Sequence, residues 1–291
     1  MIKIIFIAGD GRSGSTLLES VLANAAGTIG VGECHRFWSR LAEGTSLCGC
    51  GEPLSSCEFW NAVNEELKLQ FPDYDPATFG EEVREFQRHR YFKQMPTLLQ
   101  QPRWSRLAEM VAHFYRAIAM YSEKNTIIDS SKSVPWALLL QSLDQFDVRV
   151  IHLERKLTGV ANSWKKQVRL PEYISEERWM PRKSNALILK TWLKVKLLSR
   201  KLRSAAPYIF LRFDQLCAHS ETTLERIQEF AGIQLNTNKL QVQSGHGIAG
   251  NPMRFDQKGH PLEIKPSIGT KELSFFERIG FSLVDKLASF V

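Results

Sequence analysis

Residues 2–18 read IKIIFIAGDGRSGSTLL, and this stretch decides the fold of the chain. Its first part, residues 2–8, is a nearly unbroken run of apolar, often β-branched residues, which is typical of a strand buried on both faces of a parallel sheet. A glycine-rich turn follows, and the apolar spacing from Thr16 to Ala25 predicts a helix. The stretch is therefore a strand–loop–helix unit of an α/β protein.

Strands and helices alternate along the rest of the chain. The patterns predict further strands at 29–33, 126–129, 148–153 and 208–213. They predict helices at 59–69, 79–94, 103–122, 158–168, 184–203, 220–231 and 272–289, and a loop at 44–57. This alternation predicts an α/β fold with a central parallel sheet flanked by helices on both faces. No linker rich in Pro, Gly or Ser divides residues 1–291, so we expect one domain with a helical insertion at about 59–122.

The charge balance favours an anionic partner. The formal net charge is +7 and the isoelectric point is about 9.2, which suits a nucleotide, a nucleic acid or an acidic glycan. The basic residues are spread along the chain and form no dense run, so we expect no nucleic-acid partner. No apolar run approaches the roughly 18 residues of a membrane span. We expect a soluble protein of the cytoplasm.

The loop after the first strand lies where a phosphate-binding loop belongs. Residues 9–16 match G-x-x-x-x-G-K-[ST], except that Ser15 stands at the Lys position. Small residues let backbone N–H groups point inward, and the helix start adds a partial positive charge. The residues expected to contact an anion are Gly11, Arg12, Ser13, Gly14, Ser15 and Thr16. Because the Lys that reaches a triphosphate is missing and Arg12 supplies a forked cation instead, we expect a 5′-phosphate-type group without Mg²⁺.

Two other patterns suit an anion less specifically. Arg155 ends the predicted strand at 148–153 and Ser163 follows eight residues later, so a strand-to-helix connection lets them converge on a phosphate. Residues 250–255 read GNPMRF, a turn-rich stretch that carries Arg254. Either pattern is also common in surface loops.

Three of the five cysteines cluster at Cys48, Cys50 and Cys57. A metal site is one interpretation, but these residues supply only three ligands and no His lies nearby after Cys57. The other interpretation is a loop with free thiols or one disulfide. We expect the loop and no metal.

Together these motifs resemble those of the bacterial-type sulfotransferases that use 3′-phosphoadenosine 5′-phosphosulfate (PAPS). Residues 11–18 resemble their 5′-phosphosulfate loop, Arg155 and Ser163 resemble their 3′-phosphate motif, and residues 250–254 and 48–60 resemble segments of many bacterial members. The resemblance implies a three-layer α/β fold like that of the P-loop nucleoside triphosphatases, with a central parallel sheet. It also implies PAPS as donor, 3′-phosphoadenosine 5′-phosphate (PAP) as product, no metal, and an acceptor such as a glycan, a phenol or a natural product. Glu154 departs from it, since an apolar residue is usual there, and residues 156–158 replace the usual Asp-Pro-Arg.

Catalytic roles follow from the resemblance and from position. Glu33, at the end of the second strand, resembles the base of several glycan-acting members, and His35 is its rival. Arg12 would stabilise developing charge. Lys132 resembles a family Lys near the bridging oxygen, although it could equally be a solvated residue in the first turn of a helix.

The acceptor and the oligomeric state are left open by the sequence. Helices in 59–122 and the stretch 165–185 are expected to wall the acceptor pocket. Their aromatic residues suit sugar stacking, phenol binding or an ordinary core: Trp60, Phe71, Tyr91, Phe92, Trp104 and Trp179. The rival functions are a small-molecule or nucleotide kinase with a variant phosphate loop, and a non-catalytic protein that binds nucleotides or nucleic acid.

Overall fold

The central sheet has five parallel strands, which lie side by side in the order Thr28–Gly32 (β2), Thr126–Lys132 (β3), Ile2–Ala8 (β1), Phe146–Glu154 (β4) and Tyr208–Arg212 (β7). A computed structural model describes residues 1–88, 95–173, 177–243, 245–255, 258–265 and 270–288. Its strands are β1 (Ile2–Ala8), β2 (Thr28–Gly32), β3 (Thr126–Lys132), β4 (Phe146–Glu154), β5 (Arg169–Leu170), β6 (Arg178–Trp179) and β7 (Tyr208–Arg212). The short β5 and β6 pair with each other in an antiparallel hairpin away from the sheet.

Helices connect the strands. Within the described ranges they are α1 (Ser15–Leu22), α2 (Phe37–Glu43), α3 (Glu58–Gln70), α4 (Pro76–Phe86), α5 (Met95–Leu98), α6 (Pro102–Ser122), α7 (Val134–Gln141), α8 (Leu157–Lys165), α9 (Asn185–Arg200), α10 (Phe213–Ala218), α11 (Ser220–Ala231) and α12 (Phe275–Ala288). Among them, none is both long enough and apolar enough to cross a membrane.

The alternation of side chains along β1 explains the two helical layers. Ile4 and Phe6 project to one face of the sheet and Ile5 and Ile7 to the other, because successive side chains of a strand point to opposite faces. All four are fully buried. Helices α2, α3, α4, α6 and α7 cover the first face, and α1, α10 and α11 cover the second. A third cluster joins α8, α9 and α12. The predicted α/β fold with a helix-flanked parallel sheet is confirmed.

The predicted elements agree with the structure except at their ends and in short segments. β1 and α11 have the predicted bounds, whereas the predicted helix 79–94 is α4 and ends at Phe86. Its residues 89–94, and residue 289 of the predicted last helix, lie outside the described residues. The sequence patterns missed α2, because a helix of seven residues is too short to show a helical period.

Candidate active site

A cleft of about 450 Å³ opens where β1, β3 and β4 end. The carboxyl ends of parallel strands meet at one edge of a sheet, so the loops that follow them share this cleft. The predicted site residues that line it are Gly11, Arg12, Gly14, Ser15, Thr16, Glu33, Lys132, Arg155 and Ser163. The predicted residues that do not line it are Ser13, His35 and Arg254.

The loop between β1 and α1 holds a tight conformation with unsatisfied donors. Gly14 has φ 96°, and a Cβ there would lie 2.3 Å from the ring of Phe213. Arg12 is also in the left-handed region, at φ 71°, which is a strained conformation for a side-chain-bearing residue. The Ser13 hydroxyl and the Arg12 Nε are buried and have no hydrogen-bond partner. Buried donors of this kind are usually satisfied, so the loop is arranged to receive an acceptor group.

Two arginines, Arg12 and Arg155, bring their guanidinium groups to the cleft. Arg155 Nη1 donates to the backbone oxygen of Arg12 at 3.1 Å. Burial lowers the pKa of both arginines, and the charge of Arg155 lowers that of Arg12 further, although Glu33 opposes the effect. In the part of the chain that the structure describes, neither forms an ion pair with a carboxylate. The Arg12 guanidinium lies over the ring of Trp164 and the Arg155 guanidinium over that of Phe213. A bound dianion would balance this uncompensated charge.

Lys132 reaches the phosphate loop from the end of β3. Its Nζ donates to Ser15 Oγ at 3.2 Å, to Glu33 Oε1 at 2.7 Å and to the Ser130 backbone oxygen at 2.9 Å. The side chain is only 14% exposed, so it is not a solvated residue of a first helical turn. Because Ser15 stands at the Lys position of the P-loop pattern, the ammonium group beside the loop comes from β3 instead.

Glu33 follows β2 and carries two cationic partners. Its Oε1 accepts from Lys132, and its Oε2 lies 2.7 Å from Arg36 Nε. Its backbone N–H donates to the Ile248 oxygen at 2.7 Å, which fixes where β2 ends. Burial raises the pKa of Glu33, but the charges of Lys132 and Arg36 outweigh burial and hold that pKa well below its ordinary value. The carboxylate is therefore ionised at neutral pH and accepts protons or hydrogen bonds only.

His35 turns away from the cleft. Its backbone N–H donates to Ser131 Oγ at 3.3 Å, and its ring lies 6.4 Å from the indole of Trp136. Burial, and then the charge of Arg36, lower the pKa of His35 to about 3. Of the two rival bases, the structure brings only Glu33 to the cleft.

The side chain of Arg254 lies behind the cleft wall. It donates to the Ala249 backbone oxygen and lies 3.3 Å from Glu172 Oε2, and it is 7% exposed. Its neighbours reach the site instead, since the Asn251 N–H donates to Thr16 Oγ1 at 3.3 Å. The expectation that Arg254 itself contacts the bound group therefore has no support in its placement. Sequence patterns could not reveal its partner Glu172, 82 residues away.

Glu19 is a buried residue that supports the site from outside the cleft, and the sequence patterns missed it. It lies in α1, where its Oε1 accepts from the Gly32 N–H at 2.6 Å and its Oε2 accepts from Ser130 Oγ at 2.5 Å. Burial raises the pKa of Glu19 to about 7. The carboxylate joins the ends of β2 and β3, which carry Glu33 and Lys132. The sequence offered one sign of this burial, which is that Glu19 lies on the apolar side of a predicted helix, next to Leu18.

The two departures from the sulfotransferase motifs have structural partners. Glu154 accepts from Lys196 Nζ of α9 at 2.9 Å, and both side chains are buried. The Leu157 and Thr158 backbone amides donate to the Asp285 carboxylate of α12 at 2.6 and 3.1 Å. The first turn of α8 is thus capped by a side chain, which leaves Arg155 and Ser163 as the groups that face the cleft.

Two segments, 59–122 and 165–185, were expected to wall the acceptor pocket, and only the second lines the cleft. Leu170, Met180 and Pro181 line it, whereas no described residue of 59–122 does. Helices α3 and α6 instead border a second cleft of about 760 Å³ on the other side of α1, which lacks Glu33, Lys132 and Arg155. Among the six aromatic candidates, Trp60 and Trp104 are core residues, Phe71 packs against the core and Trp179 is 46% exposed. Tyr91 and Phe92 lie outside the described residues.

Comparison with known proteins gives one result. A sequence model described as the sulfotransferase family matches residues 5–237, more than three quarters of the chain. No curated protein matches the chain.

Proposed function

Because the chain belongs to the sulfotransferase family, we propose that it moves a sulfuryl group from PAPS to a hydroxyl or amine of an acceptor and releases PAP. The observation that carries the proposal is the pair of half-buried arginines, Arg12 and Arg155, that line one cleft. They have no carboxylate partner among the described residues, and they share a cleft with an ionised carboxylate, Glu33.

The residues present fit the two anionic ends of the donor. The Arg12 guanidinium and the Ser15 and Thr16 hydroxyls, which line the cleft at the start of α1, suit the 5′-phosphosulfate. Arg155 and Ser163, which line the same cleft, suit the 3′-phosphate. PAPS supplies an activated sulfuryl group, and the enzyme is left to align the reactants and stabilise charge.

Glu33 is proposed as the base. Its carboxylate is ionised and lines the cleft. The ammonium group of Lys132 links it to the loop between β1 and α1, because Lys132 Nζ donates to both Glu33 and Ser15. A carboxylate in this place takes the proton of the acceptor hydroxyl or amine as the new bond to sulfur forms.

Lys132 is proposed to stabilise the leaving group. Its ammonium is already within hydrogen-bonding distance of Ser15 at the loop, so it can donate to the oxygen that leaves with the phosphate. Arg12 adds a second fixed cation at the same loop.

The acceptor is proposed to enter past Leu170, Met180 and Pro181, where the cleft has an apolar edge beside Arg36 and Arg40. This mixture suits a glycan, a phenol or another small molecule that carries a nucleophilic hydroxyl or amine.

The decisive experiment compares PAP with ADP by titration calorimetry, in wild type and in Arg155→Gln. Both ligands carry two phosphates, but the second is on the 3′ position in PAP and on the 5′-phosphate in ADP, so a 3′-phosphate site predicts that wild type binds PAP more tightly. Loss of a charged hydrogen bond costs about 1.5–3 kcal/mol, so Arg155→Gln should weaken PAP binding roughly 10- to 150-fold. ADP binding should be unchanged.

Arg84→Gln, on the exposed surface of α4, is the matched control and should bind both ligands like wild type. Binding of Mg²⁺-ATP in the same calorimetric titration, without binding of PAP, would refute the proposal in favour of a kinase. PAP binding without sulfuryl transfer to any of a panel of acceptors would instead favour the non-catalytic alternative.

A further inference from the structure

Three cysteines of one loop meet a histidine from the far end of the chain. Cys48, Cys50 and Cys57 lie between α2 and α3, and His246 lies beyond α11. The three sulfur atoms and one His246 ring nitrogen all lie within 4.8 Å of one another. The sequence patterns counted three ligands because the fourth is 189 residues from Cys57.

Three of the six distances between the donor atoms are close to those of a tetrahedral site. Cys50 Sγ lies 3.7 Å from Cys57 Sγ, and His246 Nδ1 lies 3.6 Å from Cys48 Sγ and 3.3 Å from Cys57 Sγ. Zinc–sulfur bonds of about 2.3 Å and zinc–nitrogen bonds of about 2.0–2.1 Å at tetrahedral angles separate the ligands by about 3.8 Å (S to S) and 3.6 Å (S to N). A disulfide brings its sulfur atoms to about 2.05 Å, and all three thiols are free.

The surroundings hold the ligands in place. The His246 ring stacks on Phe59 at 4.5 Å, and its backbone oxygen accepts from Trp60 Nε1 at 2.7 Å. The backbone N–H of Gly49 donates to the Gly247 oxygen at 3.0 Å. A Cβ at Gly49 would come within 2.9 Å of the Gly245 oxygen, so only glycine lets the two segments approach this closely. Supporting contacts of this kind orient the ligands of metal sites.

We propose that Cys48, Cys50, Cys57 and His246 bind one structural Zn²⁺. Three sulfurs and one imidazole suit zinc, and four protein ligands leave no open position for catalysis. The metal would tie the cysteine loop to residues 245–251.

That second segment is the one that completes the active site. Two residues after His246, the Ile248 backbone oxygen accepts from the Glu33 N–H, and the Asn251 N–H donates to Thr16 Oγ1. Zinc would therefore hold the proposed base and the phosphate loop in register without touching substrate.

Elemental analysis of the full chain, purified without a metal-binding tag, tests the site. Wild type should hold about one zinc per chain, and Cys57→Ser and His246→Ala should hold roughly a tenth of that or less. Cys217→Ser, which removes a free thiol outside the cluster, is the matched control and should keep its zinc.

A second measurement does not depend on the variants folding. Wild-type chain stripped of zinc and titrated with Co²⁺ should develop the intense visible absorption of a tetrahedral thiolate site, with a stoichiometry of about one. Wild type that holds no zinc and takes up no Co²⁺, a Cys50–Cys57 disulfide in the purified chain, or iron in place of zinc would each overturn the proposal.

Discussion

Replacing Lys132 with methionine removes one partner of a buried ion pair and leaves the other in place. Lys132 Nζ lies 2.7 Å from Glu33 Oε1, and the two side chains are 14% and 11% exposed. At that distance the attraction is about 6 kcal/mol for an effective dielectric constant of 20. Much of it offsets the cost of taking both charges out of water. The structure therefore predicts that Lys132→Met leaves Glu33 as an undercompensated buried charge, since its remaining partner, Arg36, is 48% exposed.

The expected loss of unfolding free energy is about 3 kcal/mol, the lower end for breaking a buried pair from one side. The double variant Glu33→Gln/Lys132→Met has no buried charge to compensate, so it should recover most of this loss and unfold within about 1 kcal/mol of wild type. Urea denaturation at neutral pH, followed by circular dichroism, measures both values. Lys124→Met, at an exposed position before β3, is the matched control and should change little.

A Lys132→Met chain as stable as wild type, or effects that simply add in the double variant, would refute this account of the pair. The same variant, Lys132→Met, also tests the proposed catalytic role of the ammonium group. Loss of an electrostatic donor at the loop should lower kcat about 10²- to 10³-fold.

Three further predictions follow from the site and the core. Glu33→Gln should lower kcat about 10²- to 10⁴-fold while PAP affinity measured by calorimetry is retained, because the amide cannot take a proton; full activity would exclude Glu33 as base. Gly14→Ala should abolish measurable PAP binding, because its Cβ would lie 2.3 Å from the Phe213 ring; Gly27→Ala also has a positive φ but meets nothing within 4 Å, so it should bind PAP normally. Burial is the main cause that lowers the pKa of His152 to about 3. The neutral ring therefore makes its full contribution to the free energy of unfolding above pH 6.5, and this contribution is lost as the pH falls from there towards 3. Urea unfolding at pH 7.5, 6.5 and 5.5 should show wild type losing up to about 1.4 kcal/mol per pH unit more than His152→Gln below pH 6.5, and parallel curves would contradict this.

The parts of the fold that could be predicted are those fixed by local pattern. The apolar run of β1 predicts a strand buried on both faces, and the small residues after it predict a tight turn into α1. Glu33 and Lys132 could be placed at the same edge because they follow neighbouring parallel strands. These inferences need no knowledge of distant partners.

The parts that could not be predicted depend on contacts between distant segments. His246 joins the cysteine loop, and Arg254 pairs with Glu172, through approaches that leave no local signature. The same is true of Lys196, whose ammonium compensates Glu154 at the end of β4. A charge that looks misplaced in the sequence marks the need for a partner but does not identify it.

The pairing of residues 248–251 with Glu33 and Thr16 has a consequence for synthesis of the protein. The five strands of the sheet are complete in the chain by Arg212, and the region matched to the family ends at residue 237. A ribosome that has made all of this has still not made residues 248–251, whose backbone bonds hold Glu33 and Thr16 in place. The five strands of the nascent chain can thus pair before residues 248–251 have been made. A product that ended before residue 248 would contain the complete sheet but would lack the backbone bonds to Glu33 and Thr16. Activity would then appear only in chains translated past residue 251.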